Sequence, residues 1–145
     1  MTREIKFRGK TKEGQWVIGS YFCMHHNDER DHIHHFIIPE NTPIPKNTTI
    51  GEIQVEVQQD TIGQFIGLHD KNGKEIYEGD IILTYGSKGD EIKHAVYYSD
   101  KEAMFCTKLI GADMLGGGIT QRWLDEFEFE VIGNIHDNPE LLKEE

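Results

Sequence analysis

The sequence predicts a mainly β fold of antiparallel hairpins, with an SH3-like small barrel around residues 61–85 and a short C-terminal helix. Short apolar runs, alternating or continuous, recur along the chain at strand length. Tight-turn chemistry falls between them, most clearly in Asp70-Lys71-Asn72-Gly73 and Glu78-Gly79-Asp80, where Asn and Gly accept the positive φ that a hairpin turn needs. The clearest helix start is at the far end, where Asn138 is placed as an N-cap and Pro139 at the first helical position.

Residues 4–8 alternate, Ile5 and Phe7 facing one way and Glu4, Lys6 and Arg8 the other, as in a half-buried strand. A turn at 10–14 leads to a returning strand at 15–22. Beyond Cys23 a polar, histidine-rich stretch separates Tyr21-Phe22 from Phe36-Ile37-Ile38, which predicts a hairpin with a His-rich tip. Pro39, Pro43 and Pro45 then impose an extended loop without a sheet ladder. Residues 50–57 alternate again and are expected as a strand, with Ile53, Val55 and Val57 on its apolar face.

The central stretch supplies three strands in a row, at 61–67, 74–77 and 81–85. Residues 91–98 and 103–110 pair through the turn at 99–102. The glycine-rich segment 111–118 has few side chains to pack and is expected as a mobile loop. Trp123 and Leu124 return to the core in a short helical turn, and Phe127, Phe129 and Val131 alternate with glutamates as a last strand. Residues 139–143 form the terminal helix. Trp16, Phe65, Trp123, Phe127 and Phe129 are expected as core, since such rings contribute most of a small barrel's buried area.

With 145 residues, the chain fits a single domain, 1–145, within which 1–58 forms a β-hairpin lobe and 59–137 a barrel lobe. Fifteen Lys and Arg against 26 Asp and Glu give a net charge of −11, which repels a phosphate backbone and argues against nucleic acid as a partner. Arg3, Lys6, Arg8, Lys10 and Lys12 are the one basic concentration, diluted by Glu4 and Glu13. No window approaches the ~18 apolar residues of a membrane span. Cys23 and Cys106 lie far apart without metal or redox spacing, which suits a reducing cytosol.

The sharpest chemical candidate is the histidine cluster. On a strand, His32 and His34 share a face, His25 or His26 lies across the hairpin, and Asp28 or Asp31 completes the set or orients one of the rings. Neutral imidazoles so placed can hold Zn²⁺. The alternative is a solvated, His-rich tip, with no HExxH-type spacing to oppose it. His69 and Asp70 beside Glu78 and Asp80 are a second candidate, for acid–base work; Asp70 and Asp80 are also where turns favour Asp, with no substrate needed. No P-loop or GxSxG pattern occurs.

Residues 64–81, QFIGLHDKNGKEIYEGDI, resemble the YopX family of phage and prophage proteins, and so do REIKFRGK at 3–10 and EVIGNIHDNPELL at 130–142. The resemblance implies phage origin and a mostly β fold, and it carries over no catalytic residues. The expected function is a non-enzymatic accessory protein acting as a binding or assembly module, with a host-encoded protein partner in view and self-association through exposed strand edges. A metal-dependent enzyme built on residues 25–35 is the alternative.

Overall fold

The computed structural model describes residues 2–25, 32–112 and 115–143. They form a mainly β structure of antiparallel sheets with few helical turns, in two compact units, Met1–Gln64 and Phe65–Glu145.

In the first unit β1 (Phe7–Lys10), β2 (Trp16–His25), β3 (Ile33–Pro39) and β4 (Val55–Glu56) lie in the order β4-β3-β2-β1. The start of β5 (Gly63–His69) pairs with the free side of β1, Phe7 opposite Gln64. The turn joining β1 to β2 is closed by the Gln15 carbonyl, which accepts from the Thr11 N–H at 2.9 Å. A second tie comes from Thr61, whose hydroxyl accepts from the Lys10 N–H at 2.8 Å. Ile37, Val57 and Phe36 are the buried apolar residues among those described in this unit.

The strand expected over 50–57 is mostly absent. Ile50–Ile53 form a single helical turn, α1, and only Val55–Glu56 extend as a strand. Local capping overrides the alternation: the Thr49 N–H donates to the Glu52 carboxylate at 3.2 Å, half of a capping box.

In the second unit the rest of β5 pairs with β6 (Glu75–Tyr77). A five-stranded sheet follows, built of β7 (Asp80–Tyr85), β8 (Glu91–Ser99), β9 (Met104–Leu109), β10 (Leu115–Gly118) and β11 (Glu130–Asn134) in the order β10-β9-β8-β7-β11. The three consecutive strands expected from 61 to 85 are all present, but β7 takes β8 and β11 as partners and leaves β6 with β5. The core gathers Ile76, Ile82, Val96, Leu124, Phe129 and Val131.

Three local expectations change here. Residues 115–118, read as part of a loop, are strand β10 on the edge of β9. A Cβ at Gly116 would lie 2.6 Å from the Thr107 carbonyl oxygen, so glycine is what lets the two backbones approach. The last strand begins at Glu130 instead of Phe127, because Thr120 caps a helix, α2 (Gln121–Glu126), accepting from the Trp123 N–H at 3.1 Å. Helix and turn break the alternation, and Phe127 is exposed while Phe129 is buried. Finally, the expected terminal helix is present as a 3-10 turn, Pro139–Leu142, with Asn138 at the N-cap position and Pro139 first, but the Asn138 side-chain oxygen accepts from the Asn134 N–H at 3.2 Å instead of capping the turn.

His94 marks the inner edge of this core. Its ring meets Trp123 and Phe129 edge-on at 5.6 and 5.4 Å, with Nδ1 3.2 Å from the Thr107 hydroxyl. Burial holds its pKa below the ordinary imidazole value. The unfolded chain therefore binds the proton more readily than the folded one. Stability at this site is complete above about pH 6.5 and is lost as pH falls through the folded-state pKa. Thermal melts should show a loss below that pH that flattens in His94→Gln; identical pH profiles for the two proteins would remove this role.

Candidate functional site

The histidine-bearing hairpin is positioned by the β2–β3 ladder, in which His25 faces Ile33, Met24 faces His34 and Cys23 faces His35. Directly opposed residues share a sheet face and neighbours alternate. His34 and Met24 therefore lie on one face and His25, His35 and Cys23 on the other. His32 joins His34, their rings meeting edge-on at 6.3 Å, and His34 Nδ1 stands 3.2 Å from Glu56 Oε1. The structure thus brings His32 and His34 together and puts His25 across the sheet from His34. His26, Asp28 and Asp31 lie outside the described residues. Among the described residues no three His, Cys, Asp or Glu side chains gather as a metal site.

One feature of this hairpin went unread in the sequence. His35 is buried on the inner face, stacked with Tyr21 at 5.9 Å, and Tyr21 Oη and His35 Nδ1 share a hydrogen bond of 2.7 Å. Burial, and secondly the neighbouring Cys23 thiol, raise the Tyr21 pKa above the usual phenol value. Period-2 alternation from Cys23 to Tyr21 was the available signal; the register against His35 was not. Cys106 is fully buried, and burial together with the Glu102 carboxylate pushes its thiol pKa up, so it stays protonated and unreactive at neutral pH.

The carboxylates of the central stretch are structural where their bonds are seen. Asp70 is buried; Oδ1 accepts from the Asn72 and Lys74 N–H groups and Oδ2 from that of Val131. This closes the β5–β6 turn and ties it to β11. Asp80, also buried, accepts from the Tyr77 N–H at 2.8 Å. His69 is exposed, and its backbone exchanges hydrogen bonds with the Gln121 side chain. Near the C-terminus Asn134 Oδ1 accepts from the His136 and Asp137 N–H groups. At Gly133 a Cβ would meet the Asn138 side-chain oxygen at 2.4 Å. The stretches QFIGLHDKNGKEIYEGDI and EVIGNIHDNPELL thus place turn-forming residues, whose side chains bond to backbone.

Two concavities lie elsewhere. One of about 580 Å³ is lined by Lys12, Glu13, Glu56, Val57 and Gln58. Another of about 450 Å³ lies over Ala95, Lys108, Leu109 and Leu142. Among the described residues neither is lined by a histidine or cysteine, and the first meets the hairpin through Glu56, the partner of His34.

No helix among the described residues is long and apolar enough to cross a membrane. No curated protein matches the chain. Among solved structures it is similar to the crystal structure of protein EF1440 from Enterococcus faecalis, at 28% identity and a TM-score of 0.57, covering 98% of this chain and 100% of that one. The strands, the turn residues that join them and this neighbour agree with the match of residues 6–143 to the family model described as YopX protein, and the chain belongs to the YopX family.

Proposed function

We propose that this YopX-family chain is a non-enzymatic binding and assembly module of a phage or prophage, acting in the host cytoplasm on a protein partner and associating with copies of itself. The carrying observation is the outer edge of β3 at Ile33, which no strand among the described residues covers. Strand β4 covers β3 only at Phe36 and Ile37, and the Val57 N–H adds one bond, to the His35 carbonyl. Backbone groups alternate in direction along a strand, so those of Ile33 point to the same outer side as those of His35. Ile33 is 44% exposed and Met24, on the neighbouring strand, 42%. Apolar side chains beside an open edge favour addition of another strand. The SH3-like reading of residues 61–85 belongs with this proposal, since such barrels bind through loops and edges.

Sedimentation velocity across a concentration series tests it. The expected result is a reversible dimer or larger species that Ile33→Lys converts to monomer. A wild-type chain that stays monomeric throughout, or equal association of the variant, would overturn self-assembly through this edge.

The metal-dependent enzyme reading draws on His32 and His34, two imidazoles on one face with Glu56 beside the second. Structural zinc sites use four protein ligands and catalytic ones three, and among the described residues no three His, Cys, Asp or Glu side chains converge to hold an ion. Metal analysis of protein purified without a metal column should therefore give well under one ion per chain after dialysis. Content near one per chain, lost in His32→Ala with His34→Ala, would make the hairpin a metal centre instead.

A further inference from the structure

A second surface, in the second unit and independent of the hairpin, lies where α2 gives way to β11. Phe127 is 50% exposed, yet it is held firmly. Its N–H donates to the Trp123 carbonyl at 3.2 Å, its own carbonyl accepts from the Thr84 hydroxyl, and its ring lies 6.4 Å from that of Trp123. Trp123 packs in turn on buried Phe129 at 4.3 Å. An aromatic ring fixed by its backbone and backed by a second ring forms contact area with little ordering cost on binding.

The residues around it define what it suits. Asp125, Glu126 and Glu128 flank Phe127 and are exposed. None of the three forms an ion pair among the described residues, and Arg122, one turn before Glu126, is not drawn to it. Acids elsewhere do take cations: Glu130 pairs with Lys71 at 3.5 Å, and Glu4 and Glu40 with Lys6. Asp125 and Glu126 also sit at the carbonyl end of α2, which has no basic residue in its last turn. Asp125 Oδ1 accepts from the Gln121 side-chain amide at 2.9 Å, whereas Glu126 and Glu128 take no side-chain bond among the described residues, and negative charge at this helix end opposes the dipole.

We propose that the Phe127–Trp123 surface docks an arginine-bearing segment of a partner protein. A guanidinium stacks on the exposed ring and takes the flanking carboxylates as charge-assisted acceptors. The net charge of −11 draws such a segment towards the chain.

Fluorescence anisotropy tests this on the full chain, with a fluorescein-labelled peptide Gly-Arg-Arg-Leu-Arg-Arg-Gly and a counterpart in which every Arg is Glu. The expected result is binding of the arginine peptide alone. It should weaken about thirtyfold in Phe127→Ala, the smallest loss that marks a hot-spot anchor, and similarly in the triple variant Asp125→Asn, Glu126→Gln, Glu128→Gln. A control triple, Asp60→Asn, Glu91→Gln, Asp100→Asn, removes the same charge at other exposed sites and should change affinity less than about twofold. Absence of binding overturns the proposal. So does equal loss in the two triples, which would reveal only general polyanion attraction, and so does Phe127→Ala abolishing self-association without affecting the peptide, which would make a second copy the occupant. All three variants alter exposed residues, and matching circular dichroism spectra confirm that any loss is at the surface.

Discussion

Asp70→Ala should lower the stability of the second unit by about 3 kcal/mol, which places it among the most damaging single changes to a polar residue in this chain. The carboxylate accepts three backbone N–H groups, at 2.8, 2.9 and 3.0 Å. Alanine leaves all three donors without it. Those of Asn72 and Lys74 lie in an exposed turn and can recruit water, whereas the bond to Val131 is buried and its donor loses the acceptor outright. The turn also holds β11 through the Lys71 N–H, which donates to the Phe129 carbonyl at 3.0 Å. Loss of Asp70 should therefore loosen two strands that are remote in sequence. Asp70→Asn keeps one acceptor oxygen but turns an amide donor towards another donor, so an intermediate loss is expected. Urea unfolding of the three proteins decides the matter. If Asp70→Ala unfolds at the wild-type midpoint, the carboxylate is not structural, and the acid–base reading of His69 and Asp70 regains its ground.

The turn at Asp70 shows which parts of this fold were legible in the sequence. The Asp70 carboxylate bonds the nearby N–H groups of Asn72 and Lys74 and Gly73 takes the positive φ the sequence required, so local residues determine the turn. The same holds for the β8–β9 hairpin and the first hairpin. What escaped was decided by competition between local signals, or by partners distant in sequence. Residues 50–53 carry both an alternating pattern and a Thr49/Glu52 capping box, and the cap prevails. Gly116 to Gly118 look unstructured until the edge of β9 is beside them. At the candidate site, alternation was enough to put His32 and His34 on one face. Pairing Cys23 with His35, and so burying His35 against Tyr21, depended on a register that the loop between the strands does not encode. The Phe127 surface was hidden for a related reason: the alternation of Phe127, Phe129 and Val131 is real in the sequence but is cut by the end of α2, so one ring of the three faces solvent.

Phe129 and Phe127 stand two residues apart, and truncating each should give opposite results. Phe129 is 1% exposed and packs against Trp123 and His94 within the core cluster. Phe129→Ala is expected to cost about 3–5 kcal/mol, from lost transfer energy plus the cavity left behind. Phe127→Ala removes a ring already half in water and should change stability by under about 1 kcal/mol. The Phe129 cavity has a second consequence. His94 owes its lowered pKa to burial, and Phe129 is one of the two rings that bury it. Opening that side to water raises the folded-state pKa towards the unfolded value and removes the difference in proton binding. Phe129→Ala should therefore be less stable than wild type at every pH and also lose the additional decline below about pH 6.5, whereas Phe127→Ala keeps the wild-type pH profile. Paired melts across that range separate the effects. A Phe129→Ala protein that is destabilised but retains the full acid-side slope would show that Trp123 and Thr107 alone keep His94 dry, and the linkage would then belong to the β8–β9 face instead of the α2–β11 junction.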